Sequence, residues 1–164
     1  EMKSTGEVYG SDKRADIAYL KARLATEIPV ATKGGAYLTV RDEDKMNLIP
    51  IASELAEMGF TIYATSGTAD ILRANDLVVQ TAYRITERKH PDALDLMRNG
   101  EVSFIVNVPT ISGGAVRDGN MMRRLAVEMN IPFVTTISGA KMEVSAIRAR
   151  IETKLEPMRL QVNY

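Results

Sequence analysis

The apolar positions change period repeatedly along the chain, and each change predicts an element. Ala36 to Val40 is a short apolar run, which predicts a strand; Leu48, Ile51, Ala52 and Leu55 then recur three and four apart, which predicts a helix with one inward face. Asp42 to Asp44 supply capping groups ahead of that helix, and Gly59 stops it. Pro50, inside it, removes one backbone donor and is expected to kink or tighten the first turns. The alternation continues with a strand at Thr61 to Thr65, a helix at Thr68 to Asn75 and a strand at Leu77 to Ala82. An irregular stretch then runs to Pro91, and Asp92 caps a helix containing Ala93, Leu96 and Met97 that closes at Asn99-Gly100. Phe104 to Val108 is a near-continuous apolar strand of the kind buried on both faces, apart from Asn107. The loop Pro109 to Gly119 leads to a helix with Met121, Met122, Leu125, Ala126 and Met129 inward, ended by Asn130-Ile131-Pro132. Phe133 to Thr136 is the fifth strand, and Ala140 to Leu155 a helix with Val144, Ile147, Ile151 and Leu155 on one face. For Pro157 to Tyr164 one more strand and disorder both stay open.

Residues 1–34 read differently. Asp12 can cap a helix whose apolar positions Ile17, Leu20 and Leu24 fall three and four apart, ending before Glu27-Ile28-Pro29. Thr32-Lys33-Gly34-Gly35 then reads as a linker, so the pattern divides the chain into a helix and tether at 1–34 and a domain at 35–164. The helix's apolar stripe needs a partner, either the following domain or a preceding one.

Strands alternating with helices predict an α/β fold: a five-stranded parallel sheet in a three-layer sandwich, with helices on both faces and right-handed crossovers. Ligands of such sheets bind beyond the carboxyl ends of the strands, and those ends here carry Thr39, Thr65, Asn107 and Thr135-Thr136. In the strand-to-helix turn Thr65-Ser66-Gly67-Thr68 the first helical N–H groups lack intrahelical partners, the helix dipole is positive, and Gly67 admits a ligand close to the backbone. The alternative is that Ser66 or Thr68 only caps the helix. Lys45 near the start of the first long helix and Arg84 beyond the third strand add two cations, and Ser112 a further hydroxyl. Together these groups make a cradle for a phosphate, with Lys as a point charge and Arg able to bind two oxygens.

Composition narrows the reading. The 164 residues suit one ordinary domain, and there is no cysteine for a disulfide or thiolate metal site. Lys plus Arg and Asp plus Glu are 21 each, so a duplex-binding positive surface is not supplied; aromatic content is low and Trp absent, which argues against stacking single-stranded bases. No apolar run approaches the ~18 residues of a membrane span, and the predicted setting is the cytoplasm. An opening of Glu-Met-Lys-Ser-Thr-Gly-Glu has neither a signal peptide nor a natural start, which suggests a piece of a longer protein. Catalytic groups are scarce. His90, the only histidine, could pair with Asp92 as acid and base, but Pro91-Asp92 is explained more simply as a helix start. No Gly-x-x-x-x-Gly-Lys-Ser/Thr loop occurs, and Ser112-Gly113-Gly114 is too short for a dinucleotide fingerprint. No metal site is expected. The residues suit holding an anion rather than transforming it.

Several stretches resemble a known family: Leu38-Thr39-Val40-Arg41-Asp42-Glu43-Asp44-Lys45, Gly59-Phe60, Ala64-Thr65-Ser66-Gly67-Thr68-Ala69, Asn99-Gly100-Glu101, Val106-Asn107, Arg123-Arg124 and Thr135-Thr136. The family is the carboxyl-terminal allosteric domain of the carbamoyl phosphate synthetase large subunit, of the methylglyoxal-synthase-like superfamily. Lys3-Ser4-Thr5-Gly6-Glu7-Val8 resembles the end of the second ATP-grasp domain in the same polypeptide. The resemblance implies a domain that binds a nucleotide effector, such as uridine or inosine monophosphate, and regulates distant ATP-grasp sites. It further implies a parent ligase that makes carbamoyl phosphate for pyrimidine and arginine biosynthesis. That enzyme uses ATP with Mg or Mn, a glutamine amidotransferase small subunit as partner and glutamine-derived ammonia with bicarbonate as substrates; the fragment would hold no cofactor and an oligomer is compatible. Under it the phosphate positions fall on Lys45, Thr65 and Thr68 with Ser66, Gly67 and Thr39 beside them, and a usual lysine is replaced by Arg84. The nucleoside side falls on Asn107 and Ser112, and a position that in some members meets ornithine on Thr135. Two departures bear on the ligand's base and ribose: the loop after Asn107 is slightly longer than the family's, and Gly113-Gly114 replaces a commonly basic pair. Methylglyoxal synthase itself is the rival within the superfamily. It needs an acidic catalytic residue after the third strand, where Arg88-Lys89-His90-Pro91 stands, and a histidine and aspartate after the fourth, where Pro109-Thr110-Ile111 stands, so the carboxylate base is expected to be missing. A free-standing nucleotide-binding regulator is the third alternative.

Overall fold

A computed structural model describes residues 7–26, 28–110, 114–153 and 155. In chain order the elements are α1 (Ala15–Leu24), β1 (Gly35–Val40), α2 (Lys45–Glu57), β2 (Thr61–Ala64), α3 (Ser66–Arg73), β3 (Val79–Thr81), α4 (Ala93–Arg98), β4 (Val102–Val108), α5 (Gly114–Glu128), β5 (Phe133–Val134) and α6 (Ile137–Glu152). The five strands form one sheet in the order β3-β2-β1-β4-β5, and every pairing is parallel. The predicted α/β three-layer architecture is therefore present.

Alternation along the strands explains the layers. Ala36, Leu38 and Val40 of β1 and Phe104, Val106 and Val108 of β4 point to one face, where Leu48, Ile51 and Leu55 of α2, Leu72 of α3 and Val144 and Ile147 of α6 close the core. Tyr37 and Ile105 point to the other, against Leu96 and Met97 of α4 and Met122 and Ala126 of α5. The turns at the far end from the site follow a common design. Gly59 (φ +86) ends α2 with its own N–H donating to Ala56 O and the Phe60 N–H to Leu55 O, and Gly100 (φ +71) ends α4 in the same way through Met97 and Leu96. Helix α2 runs on through Pro50.

The stripe of α1 has its partner within the described residues: Ile17 and Leu20 pack on Ala146 and Ala149 of α6. Leu24, expected inward, is 43 % exposed. Other expectations are corrected by the structure. The helix α5 begins at Gly114 instead of after Gly119, because Gly119 is a helical residue that permits a close contact and not a loop marker. Met121, Met129 and Ile151 face out; α6 begins at Ile137, and the edge strands β3 and β5 are shorter than their apolar runs. The tail 157–164 and Ser112 lie outside the described residues. No helix among the described residues is long and apolar enough to cross a membrane.

Candidate functional site

The winding of the sheet reverses between β1 and β4, which leaves a crevice at their carboxyl ends. Register fixes what meets there. Thr39 and Asn107 are direct partners across β1 and β4, and Leu38 pairs Ala64, which brings Thr65 to the other side of Thr39. All three side chains occupy the same alternate row as Tyr37 and Ile105, so Thr65, Thr39 and Asn107 form a polar line across the mouth of the cleft.

Thr65 takes the N-cap position of α3 in an extended conformation, yet its hydroxyl makes no capping bond; its Oγ1 lies 3.5 Å from Thr39 Oγ1. The Thr65 carbonyl accepts from the Thr68 and Ala69 N–H groups, which leaves Ser66 and Gly67 as the amides at the open end of the helix. Neither Ser66 nor Thr68 is the cap: both lie inside α3, Ser66 exposed and Thr68 buried away from the cleft lining. Lys45 comes to this end from α2. A Cβ built on Gly67 would lie 3.1 Å from Lys45 Nζ, so the absence of a side chain at Gly67 is what lets the ammonium rest against the first turn of α3. The ammonium is held meanwhile by Asp42 Oδ1 at 2.7 Å. That bond, then the charge of Lys45, pulls the Asp42 carboxyl below its usual range, with Arg84 contributing a smaller part. Asp42 is almost fully exposed, so an incoming anion can displace it from Lys45 at little cost. Arg84 lines the same cleft from the loop after β3.

Two groups were not found by sequence. Asp118, on α5, is 5 % exposed and lines the cleft; its Oδ2 accepts from Thr86 Oγ1 at 3.1 Å while its Oδ1 is buried with no partner among the described residues. An unpaired buried carboxylate oxygen is costly and marks a place where a donor belongs. Asp118 stands on α5, not in the loop after β3 where a lyase's acidic residue is expected. Tyr37, one pleat below Thr39, also lines the cleft. Gly119 follows Asp118, and a Cβ there would come within 2.6 Å of Asn107 Nδ2. Helix α5 can approach β4 only because that position is glycine.

Other candidates lie elsewhere. Thr135 is exposed at the end of β5, and Thr136 caps α6 by accepting the Gly139 N–H at 3.0 Å. His90 bonds Asp95 rather than Asp92, at 2.5 Å, outside the cleft lining. His90, Asp92 and Asp95 are close enough to gather a cation, but both carboxylates serve the capping box of α4. Chemically, the cleft is lined by Arg84 and the Thr39 and Thr65 hydroxyls at one end, with Lys45 and the Ser66 and Gly67 amides beside it, and by the Asn107 amide and the Asp118 carboxylate at the other. It is suited to a ligand that is anionic at one end and rich in hydrogen-bonding groups at the other.

Fold and cleft together define a doubly wound α/β domain with a polar cleft at its switch point. The family model described as "MGS-like domain" matches residues 47–135, and the chain belongs to that family. It is 45% identical over 150 residues to the "Carbamoyl phosphate synthase large chain, C-terminal section" of Methanocaldococcus jannaschii, covering 91% of this chain and 24% of that relative. The protein of the same description from Aquifex aeolicus is 35% identical over 164 residues, covering 99% of this chain and 30% of its own length. The "Carbamoyl phosphate synthase large chain" of Synechocystis is 35% identical over 162 residues, 98% of this chain and 15% of the relative. The chain thus spans less than a third of the length of these relatives.

Proposed function

We propose that this chain is the regulatory, effector-binding part of a carbamoyl phosphate synthetase large subunit, and that its cleft takes a phosphorylated nucleotide such as uridine or inosine monophosphate. The observation that carries the reading is the meeting of Lys45 Nζ with Gly67 at the open end of α3, beside the Thr65 and Thr39 hydroxyls. In this reading the phosphate displaces Asp42 from Lys45, and Arg84 closes over it. Asn107 and Asp118 address the nucleoside side, where an amide can donate and accept and a carboxylate accepts. The chain itself performs no reaction. Synthesis with ATP and Mg or Mn belongs to preceding ATP-grasp domains, working with a glutamine amidotransferase subunit in the cytoplasm. The names of the relatives support the assignment to that enzyme.

Binding to the folded form alone must raise stability, by about 2.7 kcal/mol at a hundredfold excess over Kd, or on the order of 5–10 °C in Tm. Thermal melts with uridine monophosphate, inosine monophosphate, phosphoribosyl pyrophosphate and inorganic phosphate test this. Lys45→Met should lose the shift for every phosphate-bearing ligand alike. No shift in the unaltered chain with any of them would overturn the reading.

One observation favours a second reading. The buried Asp118 carboxylate, with one oxygen unengaged, is the kind of group that could abstract a proton in a phosphate-eliminating lyase of the methylglyoxal synthase type. Formation of methylglyoxal from dihydroxyacetone phosphate, abolished by Asp118→Asn, would replace the binding-only reading.

A further inference from the structure

Tyr37 is a polar side chain in a place where the strand pattern calls only for an apolar one. It is 2 % exposed, and it sits on β1 in the row that ends with Thr39. A buried phenol ordinarily finds a hydrogen-bond partner. Tyr37 instead lines the cleft, and its hydroxyl bonds no described residue. Burial first, and the Asp118 carboxylate second, push its ionisation above the usual tyrosine range, so it is a neutral donor throughout the ordinary pH range. Asp118 Oδ1 is the complementary case, an acceptor with no donor among the described residues. The two do not bond each other, so a donor and an acceptor that lack partners among the described residues belong to side chains lining one cleft.

A single hydroxyl group answers both, since its O–H donates to the carboxylate while its oxygen accepts from the phenol. The placement suits a sugar. Thr65 is one strand spacing, ~5 Å, from β1, and Tyr37 stands two residues before Thr39, ~6.6 Å along the strand, so the floor at Tyr37 lies ~8 Å from the phosphate end. A pentose's phosphate-to-hydroxyl span plus one hydrogen bond of about 2.8 Å covers about that distance. Resting on the effector reading above, we propose that the Tyr37 hydroxyl is a specificity-determining contact of the cleft, holding with Asp118 a ring hydroxyl of a pentose phosphate and so favouring it over its deoxy analogue or free phosphate.

The test is Tyr37→Phe in the 164-residue chain, with ribose 5-phosphate, 2-deoxyribose 5-phosphate and inorganic phosphate as probes in titration calorimetry. The substitution keeps the ring and its packing, so the fold should be retained, and a melt confirms it. One lost hydrogen bond should weaken ribose 5-phosphate about 3- to 10-fold and leave inorganic phosphate unchanged. The unaltered chain should prefer the ribose over the deoxyribose compound, and the variant should prefer it less. Equal losses for all three probes, or none, would overturn the role of Tyr37 while leaving the phosphate site standing. Absence of binding by every probe to the unaltered chain would overturn the site itself.

Discussion

Gly119 controls how near α5 comes to the floor of the cleft, and replacing it separates stability from binding. Alanine favours a helix over glycine by about 0.5–1 kcal/mol, while a Cβ 2.6 Å from Asn107 Nδ2 forces that amide out of its place. Gly119→Ala is therefore expected to melt close to the unaltered chain, yet bind nucleotides more weakly. Affinity for inorganic phosphate should hold, because Lys45 and Thr65 lie on the β2 side; calorimetry with both ligands checks this, and an equal loss for phosphate would contradict the place given to Asn107. Thr39, Thr65 and Asn107 were legible because each is a polar residue interrupting an apolar run at the carboxyl end of a strand. Lys45 and Arg84 were legible as cations, but the contact of Lys45 with Gly67 depends on how α2 and α3 pack, which periodicity does not encode. Tyr37 was missed because a phenol inside a buried strand reads as core. Asp118 was missed because Arg117-Asp118-Gly119-Asn120 reads as loop. Its signal was spacing: Asp118 stands four and eight residues before Met122 and Ala126, an acid on the inward stripe of α5.

At the scale of elements, the start of α4 shows a sequence signal realised in full and then extended. Asp92 Oδ1 accepts from the Leu94 and Asp95 N–H groups at 2.8 and 3.0 Å, and Asp95 Oδ2 accepts from the Asp92 N–H at 2.9 Å, closing a capping box. The addition is His90, whose Nδ1 meets Asp95 Oδ2. The bond to Asp95 raises the His90 pKa, and the Asp92 N–H first, then His90, lowers that of Asp95. A raised histidine adds stability that is full below its unfolded value of about 6.5 and is lost as pH rises through the folded value. A lowered carboxylate adds stability present above about 3.9 and lost as pH falls through its folded value. The stability advantage over His90→Asn should thus be largest between about pH 4 and 6.5 and fade above that window, which melts across the pH range would show; an advantage that is constant up to pH 9 would sink the assignment. The order and type of the elements were legible from period alone. Their ends were less so: Met129 and Ile151 continue helical stripes but sit at helix termini, where the stripe has outrun what it packs on.

The molecule as a whole raises the question of where the domain begins. The family match starts at residue 47, and Thr32-Lys33-Gly34-Gly35 reads as a linker in sequence although Gly35 already opens β1, yet α1 is bound to α6 by more than apolar contact. Glu143 of α6 is 1 % exposed, and Arg23 of α1 grips it through Nε at 2.9 Å and Nη2 at 3.0 Å while the Tyr19 hydroxyl donates at 2.8 Å. Burial and then Glu143 push the Tyr19 pKa up to about 12, so that donor stays protonated. Two disruptions of this joint should differ in kind. Arg23→Met leaves Glu143 buried beside α1 without its cation, which costs about 3 kcal/mol or more. A chain starting at Gly34 hydrates Glu143 instead, but forfeits the burial of Ile17 and Leu20, each worth at most about 1.5–3 kcal/mol. Both should lower Tm by on the order of 10 °C by calorimetry. Adding Glu143→Leu should restore most of the stability of the Arg23→Met chain, because a packed apolar pair replaces a stranded charge. The same substitution should not rescue the shortened chain, where the leucine would face water. A shortened chain that melts with the full one would put the boundary near residue 34 and make α1 an attachment; a large loss would make α1 the outermost layer of the domain and tie whatever precedes it in the longer relatives to α6.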